Sequence, residues 1–302
     1  MSKFINPFTD MGFKRIFGQE LSKPLLIDFL NNLLTGERHI VDVQFLDKEQ
    51  VGRFDEDRSP IYDVYCLTDS GEHIIVEMQN REQPHFRERT LYYSAEAIVR
   101  QGERGTMWNY DLKAVYLVAF TNFSFGELPG NFRIDVGLTD LSNGELFCDK
   151  LRLIYLQLPL FNKEADDCSN DFERWIYVLK NMETLNRLPW AAKDSVFQRL
   201  AEIAEVSALT KEERVKYDYA LKRFRDTLNA MAGARMEGLA EGMEKGMEKG
   251  MAEGMEKGMA EGMEKGRKSQ AVETAKLMKE KGYNVADIAE LTGLQPEAIE
   301  EL

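Results

Sequence analysis

The sequence predicts a mixed α/β domain followed by an α-helical C-terminal extension. Over the first 160 residues, short runs rich in β-branched and aromatic residues alternate with segments of helical spacing, which is typical of α/β folds. From residue 171 to 234 the apolar spacing is helical throughout. Hydrophobic residues make up 43% of the 302, so the chain can bury a core and is not disordered as a whole.

A helix and three strands come first. Residues 21–34 carry leucine and phenylalanine at helical spacing, and residues 40–46 alternate apolar with polar side chains, which predicts a strand. Residues 61–67 and 73–79 are rich in β-branched and aromatic residues and flank Asp69-Ser70-Gly71. This arrangement predicts a β-hairpin.

A second helix and further strands follow the hairpin. Residues 86–100 have helical spacing, and residues 112–120 are nearly all apolar, as expected of a strand buried on both faces. Residues 132–136 and 151–156 predict two more short strands. The predicted order is αβββαβ with extra strands after it.

Composition divides the chain into four segments, which we predict to be an α/β domain (1–160), a helical extension (161–235), a repeat (236–267) and a small helix-turn-helix-like module (268–302). The repeat has glycine at every fourth position and half of the 14 methionines. Its eight glycines would cost a helix roughly 8 kcal/mol relative to alanine. We therefore expect either a weak, assembly-dependent helix or a flexible linker.

The terminal module has an acidic last helix. Residues 296–302 contain three glutamates and neither lysine nor arginine, so this helix would repel DNA phosphates. We expect the module to bind protein instead. Together with the repeat, it predicts that residues 236–302 contribute to self-association and that the protein is a homo-oligomer.

The charge is strongly acidic but unevenly distributed. The net charge of −13 is the sum of −7 in residues 1–160, zero in 161–235 and −6 in 236–302. A nucleic-acid surface is normally basic, so any DNA-facing surface must be locally basic, and its affinity should be modest and steeply salt-dependent.

Three further observations exclude whole classes of protein. No run of about 18 apolar residues is present, so we expect no membrane span. Three cysteines exclude a disulfide-stapled scaffold. The first residues lack the apolar region of a signal peptide, so we expect a reducing, cytoplasmic setting.

Two carboxylates interrupt the predicted hairpin strands. Asp63 and Glu77 each lie in an apolar run, and a buried carboxylate needs a partner. A three-residue loop would pair Thr68 with Glu72, which places Asp63 opposite Glu77 with Cβ atoms about 4.5–5.5 Å apart. A two-residue loop would instead turn Glu77 to the other face.

Under the longer loop, Gln79 shares the face of the two acids. Two like charges at this distance repel each other unless a cation lies between them, and Mg²⁺ prefers carboxylate and water oxygens. The sequence therefore predicts a magnesium site made by Asp63 and Glu77. The three histidines show no zinc-ligand spacing.

The opening segment also resembles a known family. Residues 4–18 read Phe-Ile-Asn-Pro-Phe-Thr-Asp-Met-Gly-Phe-Lys-Arg-Ile-Phe-Gly, which is similar to the opening of the Rpn family of recombination-promoting nucleases and putative transposases. Glu77-Met78-Gln79 followed by Arg87, Arg89, Tyr92 and Tyr93 also matches that family. The resemblance implies a PD-(D/E)XK restriction-endonuclease-like core (αβββαβ) and covers most of the chain.

The resemblance implies a divalent-metal-dependent DNA endonuclease, a phosphodiester hydrolase that acts in recombination or on mobile or foreign DNA. Asp63 and Glu77 would hold Mg²⁺ or Mn²⁺, which would activate a water and stabilise charge on the scissile phosphate. Gln79 stands where the superfamily has a lysine that orients the water, so this chain lacks the positive charge there. Catalytic residues would then be Asp63, Glu77 and Gln79.

The alternative is a nuclease-fold protein without catalysis that acts by DNA binding or by oligomeric interaction. Gln79, the acidic charge and the repetitive tail favour this reading.

Several basic and aromatic residues are candidates for accessory roles. Lys14 could add charge if the first helix packs over the site, and Asp10 could be a further metal ligand, although a helix N-cap is the ordinary role. The DNA-binding candidates are Arg87, Arg89, Tyr92 and Arg100. The alternative to DNA binding is that the arginines lie on a solvated helix face and that the tyrosine is part of the core.

Overall fold

The computed structural model describes residues 2–47, 62–102, 109–126, 130–191 and 193–302. The chain divides into two compact units, Met1–Asp226 and Thr227–Leu302. The first unit is mixed α/β with a six-stranded sheet. In the described part of the chain, each helix is too short or too polar to cross a lipid bilayer.

The elements follow one another in this order: α1 (Asp10–Phe17), α2 (Lys23–Leu33), β1 (Val43–Phe45), β2 (Val64–Thr68), β3 (His73–Gln79), α3 (Phe86–Val99), β4 (Val115–Thr121), β5 (Arg133–Thr139), β6 (Leu146–Gln157), α4 (Asp171–Asn181), α5 (Ser195–Ala204), α6 (Lys211–Glu280), α7 (Val285–Thr292) and α8 (Pro296–Glu300). Short 3₁₀ turns join several of them.

The bounds agree well with the sequence prediction for β3 and α3 and less well elsewhere. The predicted strand over 61–67 is β2, which begins at Val64, and Ile61 lies outside the described residues. Strand β6 begins at Leu146, five residues before the predicted start. Its first residues are mostly exposed, so no alternation of buried and exposed positions marks them in the sequence.

The sheet has the strand order β1-β2-β3-β4-β6-β5. Strands β1, β2 and β3 pair antiparallel, whereas β3-β4 and β4-β6 pair parallel. Strand β5 returns antiparallel along β6 and forms an edge. Every residue of β4 is buried, as the apolar run over 112–120 predicted for a strand covered on both faces.

Helices cover both faces of this sheet. On one face Phe17, Phe29, Phe120 and Trp175 form an aromatic cluster that joins α1, α2 and α4 to β4. On the other face α3 lies over a second, smaller core that includes Ile75, Leu117 and Tyr155. Because side chains alternate along a strand, Glu77 and Gln79 lie on the α3 face with Ile75.

The opening segment is held by residues from the far end of the first unit. The backbone N–H of Ile5 donates to Ala204 O at 2.8 Å, and that of Asn6 donates to the Tyr217 hydroxyl oxygen at 2.8 Å. Arg15, buried at 6% exposure, donates to Glu213 Oε1 at 2.7 Å. The opening segment and the first turns of α6 are thus parts of one packed unit.

The repeat lies inside α6. Of the two alternatives, a weak helix or a flexible linker, the structure therefore shows a helix. Ion pairs one turn apart, such as Lys245–Glu241 at 2.6 Å and Lys268–Glu264 at 3.2 Å, add a few tenths of a kcal/mol each. The repeat's methionines are 66–77% exposed. After α6, positive φ angles at Gly282 and Gly293 end helices, where the sequence predicted stops.

The second unit has its own small core. Ala275, Ile288 and Ile299 are fully buried and bring the end of α6 together with α7 and α8. Lys279 Nζ donates to the carbonyl oxygens of Ile299 and Glu300 at 3.1 and 2.9 Å. These bonds satisfy carbonyls at the end of α8 that the helix itself leaves unpaired.

Candidate active site

The hairpin of β2 and β3 has the register that the three-residue loop predicts. Thr68 N donates to Glu72 O at 2.9 Å, Gly71 has a φ of +85°, and Val64 pairs with Val76. Glycine adopts this left-handed conformation without steric cost. The same register, continued by one residue, sets Asp63 against Glu77.

The two acids are tied to each other by crossed hydrogen bonds. The backbone N–H of Asp63 donates to Glu77 Oε1 at 3.4 Å, and the backbone N–H of Met78 donates to Asp63 Oδ2 at 2.9 Å. Each carboxylate therefore accepts a bond from the strand that carries the other. The hairpin backbone holds both side chains on one patch.

Burial makes this pair electrostatically unfavourable. Glu77 is only 9% exposed, and burial together with the negative charge of Asp63 raises the pKa of Glu77 to about 8. The positive charges of Arg89 and Lys14 oppose this rise in the pKa. Two carboxylates of this kind are not both ionised at neutral pH unless a cation approaches them.

The donor set fits a hard divalent cation. Among the described residues, no group of three or more His, Cys, Asp or Glu side chains could hold a metal ion, so the protein contributes two carboxylates here. Mg²⁺ is commonly bound by one or two carboxylates, with waters and substrate phosphates completing its shell. Asn80, which follows β3, donates from its Nδ2 to Phe8 O at 2.7 Å, so its side chain is used to hold the opening segment.

The amide of Gln79 is engaged at both ends. Its Nε2 donates to Arg81 O at 2.9 Å, and its Oε1 accepts from Arg89 Nη2 at 2.9 Å. Arg89 Nη1 donates to Gln83 Oε1 at 2.5 Å. Gln83 was not a candidate in the sequence, where no pattern marks a single polar residue in a loop.

Helix α1 lies on the other side of the sheet from the carboxylates. Its Phe13 and Phe17 pack against Phe120 in the larger core, so α1 does not cover the sheet face that carries the carboxylates. Lys14 still influences the pKa of Glu77 by its charge.

Asp10 is not the N-cap of α1. Thr9 takes that position with extended backbone angles, and its Oγ1 accepts from Gly12 N at 3.0 Å. Asp10 is the first helical residue and forms an ion pair with Lys14 at 2.6 Å.

The candidate DNA-binding residues do not all lie near the carboxylates. Arg89, in the first turns of α3, contacts Gln79, whereas Arg100 follows the last turn and pairs with Glu96 at 2.9 Å. Thirteen residues of helix separate Arg87 from Arg100, which is about 20 Å. The structure therefore brings the first turns of α3 to the site and leaves Arg100 at the opposite end of this helix.

Beside the first turns of α3 lies a surface depression of about 640 Å³ lined by residues 82–88 and 125–126. The Arg87 guanidinium lies 5.0 Å from the centre of the Phe125 ring in its wall. Tyr92, about one and a half turns after Arg87 on α3, is 52% exposed. It is therefore not a core residue, which was the alternative to a role in DNA binding.

A family model described as PD-(D/E)XK nuclease family transposase matches residues 7–234. No curated protein and no solved structure matches the chain. The match covers about three quarters of the sequence and includes most of the opening segment, the carboxylate hairpin and α3. The mixed α/β unit with its six-stranded sheet is consistent with the nuclease fold. The chain therefore belongs to the PD-(D/E)XK nuclease family transposases.

Proposed function

We propose that this protein is a divalent-metal-dependent DNA endonuclease. The observation that carries the proposal is the pair of crossed hydrogen bonds that holds Asp63 and Glu77 together in a buried, acidic patch. The family model supports nuclease chemistry on DNA. Catalysis, the metal ion, and the role in recombination or against mobile or foreign DNA are parts of the proposal.

In this proposal Asp63 and Glu77 bind Mg²⁺, or Mn²⁺ in its place. When bound, such an ion lowers the pKa of a water molecule and stabilises negative charge on a phosphate. The positive charges of Arg89 and Lys14 favour the ionised form of Glu77. Arg87 and Tyr92 are exposed on α3 and would contact the phosphates and bases of DNA.

We assign the proposed αβββαβ core to residues 23–121, with α4, α5 and α6 as the helical extension. The cysteines Cys66, Cys148 and Cys168 are free, which suits the reducing, cytoplasmic setting that we propose.

Plasmid nicking with and without Mg²⁺ tests this function. We expect nicking by the wild type only with the metal, and a loss of about 100-fold or more in Asp63→Asn and in Glu77→Gln, because each removes one carboxylate ligand. Glu202→Gln, an exposed carboxylate on α5, is the matched control and should nick at the wild-type rate. Equal rates in all four proteins would refute the site.

The engaged amide of Gln79 favours a second candidate, a nuclease fold without catalysis that binds DNA or acts by assembly. Titration calorimetry separates the two. Binding of Mn²⁺ by the wild type and its loss in Asp63→Asn support the endonuclease. DNA binding without any metal binding supports the second candidate.

We also propose that the repeat mediates homo-oligomerisation. A Cβ placed on any of its glycines meets no heavy atom of the described chain within 4 Å. A second helix could therefore approach closely along the stripe of glycines, which winds by about 40° around the helix at each repeat, as small residues at four-residue spacing allow. The exposed methionines beside them supply apolar contact area.

Light scattering tests this assembly by comparing the full chain with one that ends at Arg235, which retains all of the first unit. The full chain should be an oligomer and the shorter one a monomer. The same oligomeric state in both would contradict the proposal.

A further inference from the structure

We propose that Arg89 is a positioning residue of this site, which fixes the side chain of Gln79 beside the carboxylate pair and supplies the positive charge that Gln79 lacks. This inference rests on the proposed endonuclease function. It concerns a residue whose sequence pattern indicated only contact with DNA phosphates.

The guanidinium of Arg89 is held from three sides. Its Nη2 donates to Gln79 Oε1 at 2.9 Å and its Nη1 to Gln83 Oε1 at 2.5 Å. Its Cζ lies 5.2 Å from the centre of the Phe86 ring. An arginine used only for DNA phosphates would keep its N–H groups towards solvent, whereas two of these groups are used within the protein.

The hydrogen bond from Arg89 also fixes the orientation of the Gln79 side-chain amide. Because Gln79 Oε1 accepts from Arg89, its Nε2 is left as the donor and binds Arg81 O at 2.9 Å. Gln79 follows Glu77 by two residues on the same strand face. An amide fixed in this way loses no rotamer freedom when substrate binds, which is the usual benefit of a preorganised site.

The position of the charge is the second part of the argument. A neutral amide at position 79 cannot stabilise negative charge that develops on a phosphate as a lysine would. Arg89 is permanently charged and is hydrogen-bonded to that amide. Arg89 thus brings a cation from α3 to the place where β3 offers none.

Four variants of the full chain test the proposal by nicking. Arg89→Ala should lose about 100-fold, as the removal of one preorganised donor does in other sites. Arg89→Lys should lose about tenfold, because lysine keeps the charge but not the planar fork that bridges two amide oxygens. Gln79→Lys combined with Arg89→Ala should recover at least about tenfold over Arg89→Ala, because the charge returns on β3. Arg199→Ala, an exposed arginine on α5, is the control and should match the wild type.

A readout without activity accompanies these rates. The side-chain amide signals of Gln79 in ¹H–¹⁵N spectra are those that disappear in Gln79→Lys. In Arg89→Ala they should move to the positions of solvent-exposed glutamines and exchange faster with water, while the backbone signals of the sheet stay in place.

The outcomes separate the two claims. A wild type that never nicks DNA refutes the proposed function alone, and the Gln79 signals then decide the role of Arg89. Unmoved Gln79 signals in Arg89→Ala, wild-type nicking by Arg89→Ala, or no recovery in the double variant would each overturn the positioning role.

Discussion

Replacing Glu77 by glutamine should stabilise the protein at alkaline pH. The buried carboxyl has a pKa of about 8, above its ordinary value of 4.5. A raised pKa means that the folded state holds the proton more tightly than the unfolded state, so Glu77 costs stability as the pH rises from about 5 to about 8. A glutamine keeps the shape and an acceptor oxygen for Asp63 N but does not ionise.

The magnitude follows from the two pKa values. At about 1.4 kcal/mol for each pH unit between them, the full cost approaches 5 kcal/mol, and relaxation around a buried charge reduces this to about 2–4 kcal/mol. For a unit of this size, each kcal/mol moves the melting temperature by about 2–4 °C. Glu77→Gln should therefore melt about 5–10 °C above the wild type at pH 8.5 and within about 2 °C of it at pH 5.

Thermal melting in metal-free buffer from pH 5 to 8.5 checks this expectation, with Glu202→Gln as the control for the loss of one surface charge. Millimolar Mg²⁺ should narrow the gap at pH 8.5, because it binds the ionised wild-type pair and not the variant. A gap that does not change with pH would refute the buried-carboxylate argument. A gap that grows on adding Mg²⁺ would refute the assignment of Glu77 as a ligand.

Three further changes test other parts of the structure. Tyr217→Phe leaves the buried N–H of Asn6 without its acceptor and should cost about 1–3 kcal/mol of unfolding free energy in urea; no change would show that this bond is not made. Gly12→Ala would place a Cβ 2.1 Å from Asn6 O and should cost about 3 kcal/mol, whereas a stable variant would contradict the tight packing of α1 on the opening segment. Gly250→Ala and Gly254→Ala meet open space and should each raise helix content and stability by about 1 kcal/mol, yet weaken oligomerisation in light scattering if helices approach at the glycines. An unchanged oligomer would exclude that approach.

Much of the fold could be predicted where one periodicity dominates. Residues 73–79 are strongly apolar and β-branched, and the predicted strand matches β3 residue for residue. The hairpin register could also be predicted, because Gly71 dictates the loop type and the loop dictates the pairing. That register places Asp63 opposite Glu77.

Other features could not be predicted because they depend on distant residues. The hydrogen-bond partners of Arg15 and Asn6 lie about 200 residues away in the sequence, and no local sequence pattern predicts them. The sequence does not distinguish Thr9 from Asp10 as the N-cap of α1, because both residue types are good caps. The extended backbone angles of Thr9 identify it as the cap. The sequence predicts only that Arg89 contacts DNA phosphates. Its hydrogen bond to Gln79 depends on how α3 crosses the sheet.

The attachment of the opening segment to Tyr217 bears on how the protein is made. The segment that precedes α1 is made before its partners, the backbone of Ala204 and Val206 and the hydroxyl group of Tyr217, which follow some 200 residues later. About 140 residues separate the end of the carboxylate hairpin from Tyr217, so at a synthesis rate of about 5–20 residues per second the hairpin is made roughly 7–28 s before this contact can form. Complete packing of the first unit, and with it the proposed nuclease activity, therefore has to wait until Tyr217 has been made.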